Sequence, residues 1–267
     1  MIKLIKLGSG LFFSTITAIT SAQPIGTGVI PPDASGFGAS TATFGGSSIP
    51  NNAVAQTTQS GVTLALTATP RYVNPGVSNN GAGSFAALSG IDAGYSGPGA
   101  PYSLWNFNCG ILGAASAVSA YNYRLFYDFN PAAGATLITG GMGYAELRGA
   151  LIDQTVGTLT PFPSQNSLNL GMDFLATNAS FTIPPFGPTL TALIAPSSAF
   201  SFDPNAQGEY SFALVAYNKT GIGGLGYGTE AFNTSMIVSA VPEPGEWAMM
   251  LAGLGVVGAI ARRRRNK

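Results

Sequence analysis

The chain of 267 residues contains no histidine and a single cysteine, Cys109. Without imidazole there is no Ser-His-Asp or Cys-His nucleophile, and no His-containing zinc site. A Cys109 thiolate would need a neighbouring cation to lower its pKa, and the nearest in sequence, Arg124, cannot accept a proton. The thiol therefore reads as a small buried hydrophobe in a strand, with an intermolecular bridge as the other reading. Nine carboxylates from Asp33 to Glu230 could supply the pair a glycosidase needs at about 5 to 9 Å. Asp92, Asp128, Glu146, Asp153, Asp173, Asp203 and Glu230 stand alone or at strand edges, where solvated turns are the default. Asp203, Asn205, Gln207 and Gly208 imitate the start of a calcium loop, yet the twelfth position is Leu214, not the bidentate Glu required. A turn in which Asp203 bonds its own backbone fits better, with a non-EF calcium site left open. Gly221 to Gly226 fits GxGxxG, but Tyr227-Gly228-Thr229 follows instead of a helix that could hold a pyrophosphate. It reads as a hairpin connection, and no cofactor or metal is expected. The densest aromatic and amide group is Tyr102, Trp105, Asn106, Phe107 and Asn108. Aromatic faces beside amides can hold sugar rings, although large residues in a strand are usually core. Tyr102, Trp105 and Asn106 are the candidate ligand-facing residues.

The segments around these residues address the chain to a membrane. Lys3 and Lys6 precede an apolar stretch from Leu7 to Ile19, and Thr20-Ser21-Ala22 offers small residues for cleavage, so residues 1–22 read as a secretory signal peptide cut between Ala22 and Gln23. At the other end, Pro242-Glu243-Pro244 is followed by an apolar run from Trp247 to Ala261 and by Arg262, Arg263, Arg264 and Arg265. The prolines favour extended backbone at Val241 and Glu243, accessible to another protein. As a transmembrane helix the run 247–261 reaches only about 22 Å, short of a hydrocarbon core of about 30 Å. It is a minimal membrane stop. The arginines hold that end in the cytoplasm and leave the body on the other side.

Formal charge is zero over the whole chain, but most cations lie in the targeting segments. Between them Arg71, Arg124, Arg148 and Lys219 stand against nine carboxylates, leaving about −5. Nucleic acid is excluded as a partner, since no basic stripe remains on the body. Charged residues are 8% of the chain, too few for the solvated faces of helices, and turn formers abound. Residues 23–60 form a low-complexity lead-in, some of which can add an edge strand; the folded domain is 61–241. Candidate strands are Val62 to Thr69, Ser84 to Ile91, Tyr102 to Leu112, Tyr121 to Asn130, Leu168 to Ala176, Thr189 to Ala195, Tyr210 to Asn218 and Ser235 to Val241. In the clearest, Tyr121, Tyr123, Leu125, Tyr127 and Phe129 share one face. Met142 to Leu151 is open to a short helix. The spacing predicts an all-β fold, an antiparallel β-sandwich of jelly-roll or Ig-like kind, flanked by the signal helix and the C-terminal transmembrane helix.

The order of motif, apolar run and basic tail over residues 242–267 resembles the PEP-CTERM sorting signal of Gram-negative, exopolysaccharide-producing bacteria. The resemblance implies recognition by the membrane protease exosortase. It also implies transient retention in the membrane through the C-terminal helix, then a place on the cell surface or in the extracellular matrix. In the body, Leu104 to Asn108, Phe202 to Asn205 and Gly208 to Phe212 loosely resemble blocks of exported β-domains with this tail, which implies a recurrent sandwich of unassigned activity. The expected function is that of a non-enzymatic surface or matrix protein, a partner of exosortase, the secretion machinery and extracellular polysaccharide. The alternative is a secreted carbohydrate-active enzyme or carbohydrate-binding module using carboxylates and aromatics of the sandwich.

Overall fold

The computed structural model describes residues 54–72, 74–80, 83–94, 101–132, 141–148, 150–152, 159–161, 164–181, 191–242, 252–257, 260, 262 and 263. The signal peptide with its Ala22–Gln23 bond, most of the lead-in, Asp153, Glu243, Pro244, Arg264 and Arg265 lie outside them. In chain order the strands are β1 (Ala55–Gln59), β2 (Val62–Pro70), β3 (Ser78–Asn79), β4 (Ser84–Leu88) and β5 (Trp105–Gly113), then, after a one-turn helix α1 (Ala115–Val118), β6 (Tyr121–Asp128) and β7 (Met142–Leu147). They continue with β8 (Ala150–Ile152), β9 (Leu159–Pro161), β10 (Ser164–Leu168), β11 (Ala179–Phe181), β12 (Thr191–Ile194), β13 (Gly208–Thr220) and β14 (Gly226–Val241).

The fold is all-β. One sheet has the order β1-β2-β5-β10, the other β11-β12-β7-β6-β13-β14-β4-β3, and β8 pairs with β9 alone. Alternation explains which residues face inward. Tyr123, Leu125, Tyr127 and Phe129 are buried in one apolar core with Val62, Leu64, Leu66 and Ala68 of β2 and with Tyr210, Phe212 and Leu214 of β13. Aromatic rings join the sheets there: Phe107 stacks on Phe212 at 4.7 Å, and Trp105 lies 5.8 Å from Tyr210. Each such ring removes a large apolar area from water, which makes this shared layer the main source of stability.

Several expectations are corrected. The larger sheet is mixed, because β4 runs parallel to β14, pairing Ala87 with Ala240; alternation tells which way a side chain faces and nothing of strand direction. Met142 to Leu147 is a strand paired with β6, and β8 follows it, so no helix forms there. Leu168 to Ala176 is not one strand, since β10 ends at Leu168 and Asp173–Ala176 is a 3-10 helix. The break is made by Asn169, whose side chain accepts the Gly171 N–H and closes the turn. The edge strand expected from the lead-in is present: β1 precedes Gly61 and pairs with β2, with Ser60-Gly61 at positive φ in the tight turn.

β13 and β14 form the longest hairpin. Its start depends on Gly208, at φ +144°, where a Cβ would come within 2.1 Å of the Pro131 carbonyl oxygen. At its far end Gly221, Gly223 and Gly224 all take positive φ, which is what the glycine-rich run is for. Residues 252–257, 260, 262 and 263 are helical and exposed. Among the described residues no helix is long and apolar enough to cross a membrane.

Candidate functional site

The aromatic and amide group read from the sequence lies inside the molecule. Trp105, Asn106 and Tyr102 are 2%, 6% and 6% exposed, so they offer no face to a ligand. The physical reason is a polar network that ties the start of β5 to the end of β10. Asn169 Nδ2 donates to the carbonyl oxygens of Ser103 and Trp105 and to Asn106 Oδ1, while its Oδ1 accepts from the N–H groups of Ser103 and Gly171. Asn106 in turn donates to Ser167 Oγ at 3.1 Å. A buried amide is tolerated when its hydrogen-bonding capacity is used, and this one is used fully.

The other chemistry-bearing residues are also committed. Cys109 is buried, and burial pushes its thiol up to about 12, far from a thiolate nucleophile. Asp203 closes its own turn, accepting the Asn205 N–H at 2.9 Å and, through its carbonyl, the Ala206 N–H. Asp92 bonds the buried Arg71 at 2.8 Å, and Arg71 lies over the rings of Tyr102 and Tyr72. Asp128 is fully buried; burial pushes its carboxyl up to about 6, against the opposing pull of the Asn130 and Ser211 N–H groups. Among the described residues no three His, Cys, Asp or Glu side chains gather as metal ligands.

A different cluster stands half-exposed on the outward face of the larger sheet. Arg124 of β6 projects opposite Glu146 of β7. Glu146 accepts from Arg124 Nη2 at 2.6 Å and, through its second oxygen, from Arg148 Nη2 at 2.7 Å. Tyr227 of β14 lies under both guanidiniums, at 4.2 Å from Arg124 and 5.3 Å from Arg148. Tyr144 and Tyr217 flank Arg124 at 4.9 and 5.4 Å. Tyr217 and Tyr227 meet edge to face at 5.5 Å. The hairpin loop is fixed beside them by Asn122, whose buried amide donates to the carbonyl oxygens of Gly224 and Gly226. Tyr227 is held by its hydroxyl, which donates to the Tyr123 carbonyl.

Electrostatics make the cluster a cationic, neutral-phenol surface. Burial works against the charge of Arg124, but the hydrogen bond and negative charge of Glu146 prevail and hold it protonated more firmly than usual. Burial first, and then Glu146, pushes the Tyr227 phenol up; burial does the same for Tyr217. The sequence reading missed this cluster because its members come from four strands and no two are adjacent. The one legible signal was the alternation of Tyr144, Glu146 and Arg148 with Gly143, Ala145 and Leu147.

The sorting segment joins the body without a linker. Val241 is the last residue of β14, and its carbonyl accepts from the Ser89 N–H at 2.8 Å and the Ser89 hydroxyl at 3.2 Å. Pro242 ends the ladder, as a residue without an N–H must. Arg262 and Arg263 are helical and exposed. No curated protein and no solved structure matches the chain. Residues 240–265 match the PEP-CTERM protein-sorting motif, so the tail that leaves the sheet at Val241 is that of an exported protein sorted through exosortase.

Proposed function

We propose that this is a non-enzymatic protein of the cell surface or extracellular matrix of a Gram-negative bacterium, associated with its exopolysaccharide or biofilm. Its body would be a β-sandwich of jelly-roll or Ig-like kind. The signal peptide 1–22 starts export and the helix 247–261 holds the chain transiently in the membrane. Exosortase then acts near Pro242-Glu243-Pro244 while Arg262 to Arg265 keep the tail from crossing. The observation that carries the reading is the sorting motif fused to the last strand of an all-β body. Because β14 lies between β13 and β4, removal of everything after the motif leaves the whole ladder of the sheet in place. The engagement of Asp92, Asp128, Glu146 and Asp203 with protein partners supports the non-enzymatic side of the proposal.

Replacing Pro242, Glu243 and Pro244 by alanine in a host with exosortase should leave an uncleaved, membrane-held form, visible in the intact mass of the protein recovered. Unchanged size and secretion would sink the sorting reading. The enzymatic alternative predicts release of reducing ends from a polysaccharide at a rate abolished by one Asp or Glu substitution; turnover of that kind would overturn the non-enzymatic reading.

A further inference from the structure

The outward cluster gathers cations on a body that is otherwise acidic. Of its four basic residues, Arg71 is spent in the buried pair with Asp92, whereas Arg124 and Arg148 meet at Glu146 and Lys219 lies opposite Tyr227 across the hairpin. Against these three cations stand, among the described residues, Glu146 and Glu230, the latter near enough to raise the Tyr217 phenol. The face is therefore net positive while the body as a whole is about −5. Donors also exceed acceptors. Each guanidinium offers five N–H groups and Glu146 takes one Nη2 from each, while the Nε–H of both Arg124 and Arg148 is enclosed without an acceptor among the described residues, so a ligand would meet the remaining Nη donors. Half-exposed phenol rings border these donors. Such a surface suits a ligand that is flat, apolar on its faces and carboxylated at its rim.

We propose that this face binds acidic polysaccharide, with Tyr217 against a sugar ring, Tyr227 backing the guanidiniums from beneath, and Arg124, Arg148 and Lys219 receiving a uronate carboxylate. The assignment rests on the reading of the protein as polysaccharide-associated and names the class of polymer and the surface that would meet it. A neutral glycan leaves the excess donors and charge unanswered, and a carboxylated peptide leaves the rings without a partner of matching shape. Binding should weaken with added salt, because the cations are partly solvated and screening acts on them directly.

The test uses full-length protein in mild detergent passed over immobilised polygalacturonate, alginate, dextran and polyglutamate. The expected result is retention by both polyuronates that exceeds retention by dextran and polyglutamate and falls about ten-fold in Arg124→Gln and in Arg148→Gln, the loss of one charge-assisted contact. Should either arginine variant fail to fold, Lys219→Gln at its exposed position carries the test, with a smaller loss of about three-fold. Competition of the wild-type protein by free glucuronate is the second readout. Equal retention by dextran or polyglutamate, or retention unchanged in Lys219→Gln and the arginine variants, overturns the site. Failure on all four polymers while the secreted protein still fractionates with its host's matrix overturns the site alone; loss of that fractionation overturns the reading beneath it.

Discussion

Two groups in this molecule are built from the same three parts, an arginine, a carboxylate and tyrosine rings, and they do opposite things. In the first, Arg71 and Asp92 are 4% and 7% exposed, and Tyr102 and Tyr72 cover the guanidinium. In the second, Arg124, Arg148 and Glu146 are 26%, 21% and 13% exposed, with Tyr144, Tyr217 and Tyr227 around them. The first sits where the chain passes from β4 to β5, beside the Ile91–Ser103 bridge. The second stands on the outer face of a sheet, where one side of every strand is left to water. Position in the fold therefore decides whether such a group serves as an internal strut or as a surface. Residue type alone cannot, because the types are shared.

The largest expected effect breaks the buried group. Asp92→Ala takes the carboxylate away from the buried Arg71 guanidinium, and removing one partner of a buried pair costs about 3–5 kcal/mol. Denaturant melts of the purified protein should show that loss; a change below about 1 kcal/mol would mean that Arg71 reaches water when its partner goes. Next in size is Asn169→Ala. It strips partners from the Ser103 and Gly171 N–H groups and from the Ser103 carbonyl, each worth about 1–3 kcal/mol when left unsatisfied, while the Trp105 carbonyl keeps the Ser103 hydroxyl, so a combined loss of roughly 2–4 kcal/mol is expected. Far-UV and near-UV melts that stayed at the wild-type midpoint would remove the network from the account of why Trp105 is buried.

Much of the buried side of this comparison was legible in the sequence and most of the exposed side was not. The alternation from Tyr121 to Phe129 identifies the inward residues of β6, the glycine run marks the β13–β14 hairpin, and Cys109 is the buried thiol its surroundings suggest. These signals are local. Trp105 and Asn106 misled as ligand-facing candidates because adjacency in sequence made them look like a platform, while the partner that draws Asn106 inward, Asn169, lies far along the chain. The Arg124 cluster does not show for the converse reason: Tyr144 and Glu146 lie in a stretch whose composition favours a helix, and Tyr227 directly follows the glycine-rich turn. Glu and Ala do favour helices, but pairing with β6 and β12 overrides that preference. The parallel partnership of β4 with β14 was equally out of reach, since it joins distant segments by backbone bonds that any side chain permits.

A smaller effect separates burial from pairing. Asp128 is as buried as Asp92 but accepts from two backbone N–H groups and, among the described residues, pairs with no cation. Its folded-state carboxyl, near 6, lies above its ordinary value of 3.8. The folded protein therefore binds more protons than the unfolded chain between those values, so this group's contribution to stability is greatest below about pH 4 and is lost as pH rises through about 6. Asp128→Asn should remove that part of the pH dependence, on the order of 1–3 kcal/mol between pH 4 and 7. Parallel wild-type and variant profiles would place the titration elsewhere.

The smallest expected effect tests the exposed group with the same kind of change that is severe in the buried one. Glu146→Gln keeps the shape and removes the charge between Arg124 and Arg148. Those guanidiniums reach solvent, so the pair interactions are screened and worth about 1 kcal/mol or less. The rings of Tyr144, Tyr217 and Tyr227 still pack against them after the change. Stability should therefore fall by less than about 1 kcal/mol at low salt, and by less again at 1 M salt, where the Debye length is about 3 Å. A loss as large as that of Asp92→Ala, insensitive to salt, would show Glu146 to be an internal strut, and the contrast between the two groups would collapse.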